Sequence, residues 1–286
     1  TPTVERGFIR GATVETVDGA TDIGCRFLLV ADGANSRFGR GLGTHRDRRW
    51  PYAISASTYV TSERTSDSWI EMMLGPLDAA GHPVTGHGWV HPVGDGTLNV
   101  GVSMLSSYRD VHGVNVVKLL DTFVESVADR WRFDPRERLV DPIRRRTPLG
   151  GSVSPTMGPT FLVAGDAAGM ANPFNGHGVR AALATGRTAA DVLDEALTVG
   201  NSTTLQQYPA LLDEALGQYH KVGRLSARFF GRPWLLRTAL STGIRSEAAM
   251  GAAMRIATNE LRDGESGGAE RAYRLAAVLT RFAPSW

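Results

Sequence analysis

Cysteine is almost absent from this chain of 286 residues; the only one is Cys25. One thiol makes no internal bridge and no cysteine-based metal cage, so a disulfide-stapled module is excluded. The same scarcity points to a reducing compartment. Lysine is nearly missing too: only Lys118 and Lys221 stand among 31 basic side chains, set against 29 acidic ones. A net charge of +2, with no basic stripe of interleaved aromatics, speaks against a nucleic-acid partner. No apolar run approaches the roughly 18 residues of a membrane span. The opening Thr1-Pro2-Thr3-Val4-Glu5-Arg6 has no signal-peptide character and no initiator Met, so the chain is expected to belong to a longer one. A Gly-x-Gly-x-x-Gly turn is also missing.

Apolar residues are plentiful, at 42%. That excludes disorder and allows one large domain or two modest ones. Residues Ala12–Val17 and Ile23–Val30 are β-rich, with the turn signal Asp18-Gly19 between them. Phe27–Ala31 has no alternation, which suits a strand buried on both faces. The turn Asp32-Gly33-Ala34-Asn35-Ser36 follows it. The pattern then changes. Ala53–Val60, Ser68–Leu74, Gly86–His91 and Leu98–Met104 read as an antiparallel set separated by Pro, Gly and Asp turns. Val114–Trp131 reads as a helix, because Val117, Leu120, Val124 and Val127 recur at helical spacing. Thr160–Ala164 returns to the buried-strand style, Gly178–Leu197 is a helix, and everything after Leu205 is helical, broken near Pro209, Pro233 and the loop Asp263–Gly268. The chain is therefore α/β (α+β), with one domain interrupted by another.

The most informative stretch runs from Phe161 to Val179. A buried strand delivers Gly165 and Asp166 to the carboxyl edge of a sheet, where ligands sit in open α/β folds. Gly165 lets a ligand approach the backbone closely, and Asp166 accepts hydrogen bonds from sugar or polyol hydroxyls. The loop Asn172-Pro173-Phe174-Asn175-Gly176-His177 then leads into a helix near Gly178. The free N–H groups and positive end of such a helix favour an anionic or electron-rich group.

This stretch, together with Val30–Ser36, resembles the FAD-binding elements of the geranylgeranyl reductase family, in particular the branch that saturates menaquinone tails. The resemblance implies a partial FAD-binding domain over residues 1–48 and 147–200. It implies an antiparallel substrate domain over 49–146 and a helical tail over 201–286. It gives Asp166 the ribityl or ribose hydroxyls, and Gly165 the close backbone approach. It sets Gly176, His177 and Gly178 at the flavin pyrimidine edge, in a loop shaped by Pro173 and Asn175. Asp32 and Gly33 match the family's Asp-Gly element beside the cofactor. Gly86-His87-Gly88-Trp89-Val90-His91-Pro92 resembles the family's aromatic motif lining the isoprenoid cavity, so His87, Trp89, His91 and Pro92 are the substrate candidates. The implied partner is a small-molecule or lipid isoprenoid. NAD(P)H or another external reductant would reload the flavin. The expected setting is cytoplasmic, with peripheral contact at the inner membrane face.

Several departures accompany the resemblance. His87 and His91 stand where the family usually has Tyr and Phe, and His177 where it usually has Glu. The pyrophosphate turn and the family's reactive Cys-Gly element are missing, and no catalytic residue is assigned. A FAD-dependent aromatic or polyketide monooxygenase is the second reading, and a non-catalytic remnant or binding subunit the third. His87 and His91 lie at even spacing on one strand face, but no third ligand accompanies them, so no metal is assigned. In the tail, Arg224, Arg228 and Arg232 recur every fourth residue. A packed surface helix and an interfacial helix meeting anionic lipid both fit that spacing.

Overall fold

The computed structural model describes residues 1–108, 111–230, 232, 238, 246–261 and 267–280. Two compact units divide the chain. One holds Thr1–Trp50, Thr147–Leu225 and the described residues from Ala252 on; the other holds Pro51–Arg146 and the described part of Ser226–Gly251.

The first unit opens on a three-stranded antiparallel meander, β1 (Pro2–Glu5), β2 (Phe8–Thr16) and β3 (Gly19–Gly24). Thr16 pairs with Gly19, so the turn is Val17-Asp18, one residue ahead of the Asp18-Gly19 signal. The run expected as one strand from Ile23 to Val30 is two. It bends at Cys25–Phe27, and β4 (Leu28–Val30) joins a different sheet. There β4 runs parallel to β13 (Phe161–Val163), which pairs antiparallel with β12 (Met157–Gly158). Phe161, Leu162 and Val163 are all buried, as an apolar run without alternation demands. Leu29, expected inside, is 39% exposed, because β4 is an edge strand. A small pair, β5 (His45–Arg46) and β11 (Val153–Ser154), lies apart from these sheets. The short helix α1 (Arg37–Gly41) follows β4. The long helix α3 (Val179–Val199) buries Thr185, Ala189, Val192 and Ala196 against a core containing Val30, Leu162, Val163, Leu205 and Tyr208. Tyr208 is fully buried, and its hydroxyl donates to Val163 O at 3.1 Å. Then come α4 (Tyr208–Leu212), a π turn (Asp213–Gly217), α5 (Gln218–Phe230), α6 (Glu247–Ala257) and α7 (Gly268–Leu279).

The second unit is a five-stranded sheet covered by a helix. Its strands are β6 (Tyr52–Thr61), β7 (Glu71–Leu74), β8 (Gly86–Pro92), β9 (Thr97–Leu105) and β10 (Ile143–Pro148), in the order β10-β6-β9-β8-β7. Alternation sends Ala56, Val60, Val90, Leu98, Val100, Val102 and Met104 into one core with α2 (Val116–Trp131). From the helix come Leu120, Phe123, Val124, Val127 and Trp131. Each such buried side chain contributes roughly 1.5–3 kcal/mol of transfer free energy. Gly88 leaves room for the Phe123 ring, which a Cβ there would overlap. Trp131 Nε1 donates to Glu71 Oε2 at 2.6 Å, and Arg130 pairs with the same carboxylate.

The arginine spacing in the tail does not make one exposed face. Arg224 is only 9% exposed; its Nη1 donates to Gly150 O at 2.5 Å, and its guanidinium lies 3.8 Å from the centre of the Trp50 ring. Arg228 is half-buried and Arg232 exposed. The break expected near Pro233 lies outside the described residues, as does most of the loop at 263–268. No helix among the described residues is long and apolar enough to cross a membrane.

Candidate functional site

Parallel pairing decides which loops meet in the first unit. Val30 of β4 sits beside Val163 of β13, so both strands end at one sheet edge. Two residues later the first gives Asp32-Gly33 and the second Gly165-Asp166. This is the carboxyl edge at which open α/β sheets bind ligands.

Asp32 is exposed, and its Oδ2 accepts from Phe38 N at 3.1 Å, tying the turn to the start of α1. Ser36 completes that start as N-cap, accepting from Gly39 N. Gly33 has φ +80°, a region that favours glycine. Gly165 is buried, with φ +59°, and its N–H donates to Thr185 Oγ1 at 2.9 Å. Half-buried Asp166 lies against Gly178, the residue that precedes α3; a Cβ at Gly178 would collide with its carboxylate. Gly178 offers no side-chain cap, and no acidic residue stands in the first turn of α3. The carboxylate beside the start of this 21-residue helix is thus that of Asp166, supplied from outside the helix.

Between Asp166 and Gly178 the loop is held by its own amides. Phe174 N–H donates to Asn172 Oδ1 at 2.8 Å, and His177 N–H to Asn175 Oδ1 at 2.9 Å. Gly176 N–H reaches Asn172 O, and Asn172 N–H reaches His177 O. Pro173 is buried against Gly223 and Gly150, while His177 is exposed. Gly165, Asp166 and Gly178 are therefore brought into contact or near it, with Pro173, Asn175, Gly176 and His177 forming the loop between them. A carboxylate and the positive end of a long helix meet at this edge, a setting that fits a ligand carrying hydroxyls beside an electron-rich group.

The second unit presents its own surface. His91 pairs with Asn99 and Asn99 with Tyr59; Trp89 pairs with Gly101 and Gly101 with Ser57. His87, Trp89 and His91 thus share the sheet face opposite α2. Met72 and Leu74 of β7 extend that face, opposite Trp89 and His87. Trp89 Nε1 donates to Asn99 Oδ1 at 2.7 Å, and its ring lies over Gly101, where a Cβ would overlap it. The His87 ring is 5.8 Å from that of Trp89. Pro92 closes the strand opposite Leu98. The face is mixed in character: an indole and two methylene-rich side chains between imidazoles and an amide.

Sequence reasoning passed over Asn99 and Gly101 as partners of Trp89. The turn Gly94-Asp95-Gly96 carries the signal, because it fixes the β8–β9 register that sets Gly101 opposite Trp89. It also passed over Asn172 and Tyr219, whose hydrogen bond joins positions 47 residues apart. A cavity of about 300 Å³ lies elsewhere in the first unit, beside Trp50, Met170, His220 and Arg224. Among the described residues, no group of three or more His, Cys, Asp or Glu is placed to hold a metal.

No family model matches the chain. It is 32% identical over 267 residues to the menaquinone reductase of Mycobacterium tuberculosis, covering 93% of this chain and 64% of that protein. It is 28% identical over 209 residues to digeranylgeranylglycerophospholipid reductase 2 of Methanosphaera stadtmanae, covering 70% of this chain and 49% of that one. Among solved structures, a geranylgeranyl bacteriochlorophyll reductase-like protein of Thermoplasma acidophilum superposes with TM-score 0.64 at 22% identity, covering 80% of this chain and 56% of that one. A flavin-dependent brominase superposes with TM-score 0.61 at 15% identity, covering 99% and 69%. The chain thus spans under two thirds of the length of the curated relatives named here.

Proposed function

Because the chain belongs to the geranylgeranyl reductase family, we propose that it carries part of an FAD-dependent oxidoreductase that saturates double bonds in an isoprenoid chain. The first unit holds the flavin on this reading. Asp166 accepts from the cofactor's hydroxyls, with Asp32 and Gly33 beside it on the same sheet edge. Gly176, His177 and Gly178 face the pyrimidine edge at the positive end of α3, in a loop whose shape Pro173 and Asn175 set. The packing at Gly165 and Gly178 supports this placement, since the missing side chains let Ala182 and the Asp166 carboxylate close in and hold that carboxylate at the start of α3. Bound FAD, once reduced by an external donor, would supply the hydride for double-bond saturation, with a proton completing the addition. The chain's residues bind and orient; they also set the charge at the flavin edge, where His177 brings no fixed anion.

On this reading the open face of the second unit's sheet receives the prenyl chain. Trp89, Met72 and Leu74 offer apolar surface there, and His87 and His91 make the face more polar than a purely apolar tail requires, while Pro92, opposite buried Leu98, falls on the side covered by α2. A head-group-bearing isoprenoid, of the menaquinone or geranylgeranyl lipid class, suits that mixture. NAD(P)H or another external donor reloads the cofactor.

The observation that carries the proposal is the Asp166 carboxylate packed on Gly178 at the start of α3, on the sheet edge it shares with Asp32 and Gly33. Titrating the purified chain with FAD and following flavin fluorescence tests it. Saturable binding is expected. In Gly178→Ala, the new methyl displaces Asp166 and weakens binding about 10-fold or more, equivalent to about 1.4 kcal/mol. A wild-type chain that leaves FAD fluorescence unchanged overturns the proposal. Anaerobic turnover of a prenyl lipid with reduced FAD separates reductase from monooxygenase, which requires oxygen.

A further inference from the structure

A helix leaves its last carbonyls without partners from its own backbone. At the end of α6 these groups meet side chains from the loop and from its neighbours. Ala257 O accepts from Asn172 Nδ2 and Asn175 Nδ2, each at 2.9 Å. Ile256 O accepts from the Tyr219 hydroxyl at 2.9 Å. Arg180 Nη1 donates to Thr258 O at 3.2 Å and to Asn259 O at 2.9 Å. Donors and a cation are the groups that the negative end of a helix favours.

The two asparagines face two ways. Their Oδ1 atoms accept from Phe174 and His177 within the loop, while their Nδ2 atoms reach α6. Asn172 Nδ2 also donates to the Tyr219 oxygen at 3.0 Å, and the Tyr219 ring packs 5.2 Å from Phe174. Burial raises the Tyr219 hydroxyl's pKa well above its ordinary value, so it stays protonated and remains a donor.

We propose that Asn172, Asn175 and Tyr219 are positioning residues that clamp the Asn172–Gly178 loop to the C-terminal end of α6. Loop geometry is then governed by a helix end more than 80 residues further along the chain. The clamp stands on these hydrogen bonds alone; its effect on flavin affinity rests on the function proposed above. No residue of the clamp needs to touch the cofactor. α6 is held in turn by Arg255, whose Nη2 donates to the buried Glu270 of α7 at 2.5 Å.

Two variants separate the clamp from the loop's own turns. Asn175→Asp keeps an oxygen for His177 N–H but loses the donor to Ala257. Tyr219→Phe keeps the ring against Phe174 and loses only the hydroxyl. Amide hydrogen exchange is measured on the full chain, with an FAD titration alongside. Each variant is expected to speed exchange at residues 173–178 about 10-fold, while β13 keeps its wild-type protection and the Kd for FAD rises. Unchanged loop exchange in both variants overturns the clamp, and so does acceleration spread equally over β13. If the wild-type chain binds no FAD, the flavin reading fails and the exchange data still decide the clamp.

Discussion

His220 is almost fully buried on α5, beside Gly151 and the Arg224 guanidinium. Burial first, and then the Arg224 charge, lowers its pKa to about 4. In the unfolded chain the imidazole titrates near the ordinary value, about 6.5. Between those two values the unfolded state binds a proton that the folded state refuses. His220 therefore favours folding fully above about pH 6.5, and that contribution drains away as pH falls towards 4. The loss is at most about 3 kcal/mol. Urea melts of wild type and His220→Gln at pH 7 and pH 4.5 check this. The wild type is expected to lose more stability on acidification than the variant; equal losses would contradict the assignment. Nothing in the local sequence announces such a residue. The 3.6-residue period of α5 marks an inward face, but Gln218, Tyr219, His220 and Lys221 all look polar enough for solvent.

At the scale of elements, α2 shows how far pattern reading carries. Its apolar period placed the helix correctly, and Asn115 starts it, with Oδ1 accepting from Val117 N at 3.0 Å and Lys118 N at 3.3 Å. Asn115→Ala is expected to cost about 1 kcal/mol in chemical denaturation, while Asn115→Asp or Asn115→Ser keeps most of it. Four of the five strands of the second unit were legible for the same reason, since one face is covered and the other is open; the edge strand β10, largely exposed over residues 143–146, was not. The bend at Cys25–Phe27 was not, because β3 and β4 form one continuous β-rich run and only the pairing partners differ. The arginine period on α5 left a packed and an interfacial helix equally open. Spacing fixes the face but not what covers it, and Trp50 and Gly150 come from distant segments to cover Arg224. The candidate loop was legible as a motif. Its support was not, because Tyr219 and Ala257 are neighbours of Asn172 only after folding.

On the whole molecule, the apolar surface left uncovered among the described residues is uneven. Val179 and Leu183, one turn apart on α3, are 74% and 72% exposed, and the edge strand β4 exposes Leu29. Large bare apolar groups and open strand edges favour association between molecules. Sedimentation velocity is expected to show concentration-dependent association of this chain, reduced in Leu183→Lys with little change in Tm. A wild-type chain that stays monomeric over the whole concentration range would contradict the expectation. The fold alone was inferable from strand and helix order, but which surfaces stay bare depends on pairings that no local window contains.

The double duty of the asparagines also affects how the protein ages. Asn175 is followed by Gly176, a dipeptide open to deamidation when the next backbone nitrogen can attack the side-chain carbonyl. Here that nitrogen is occupied, since Gly176 N–H donates to Asn172 O at 2.9 Å, and the Asn175 amide is held at both ends. The folded loop therefore shields its own weakest bond. Once the loop loosens, spontaneous hydrolysis writes an aspartate at position 175 and adds one unit of mass. The age of a preparation becomes readable by mass spectrometry as a record of how long that loop has spent undone.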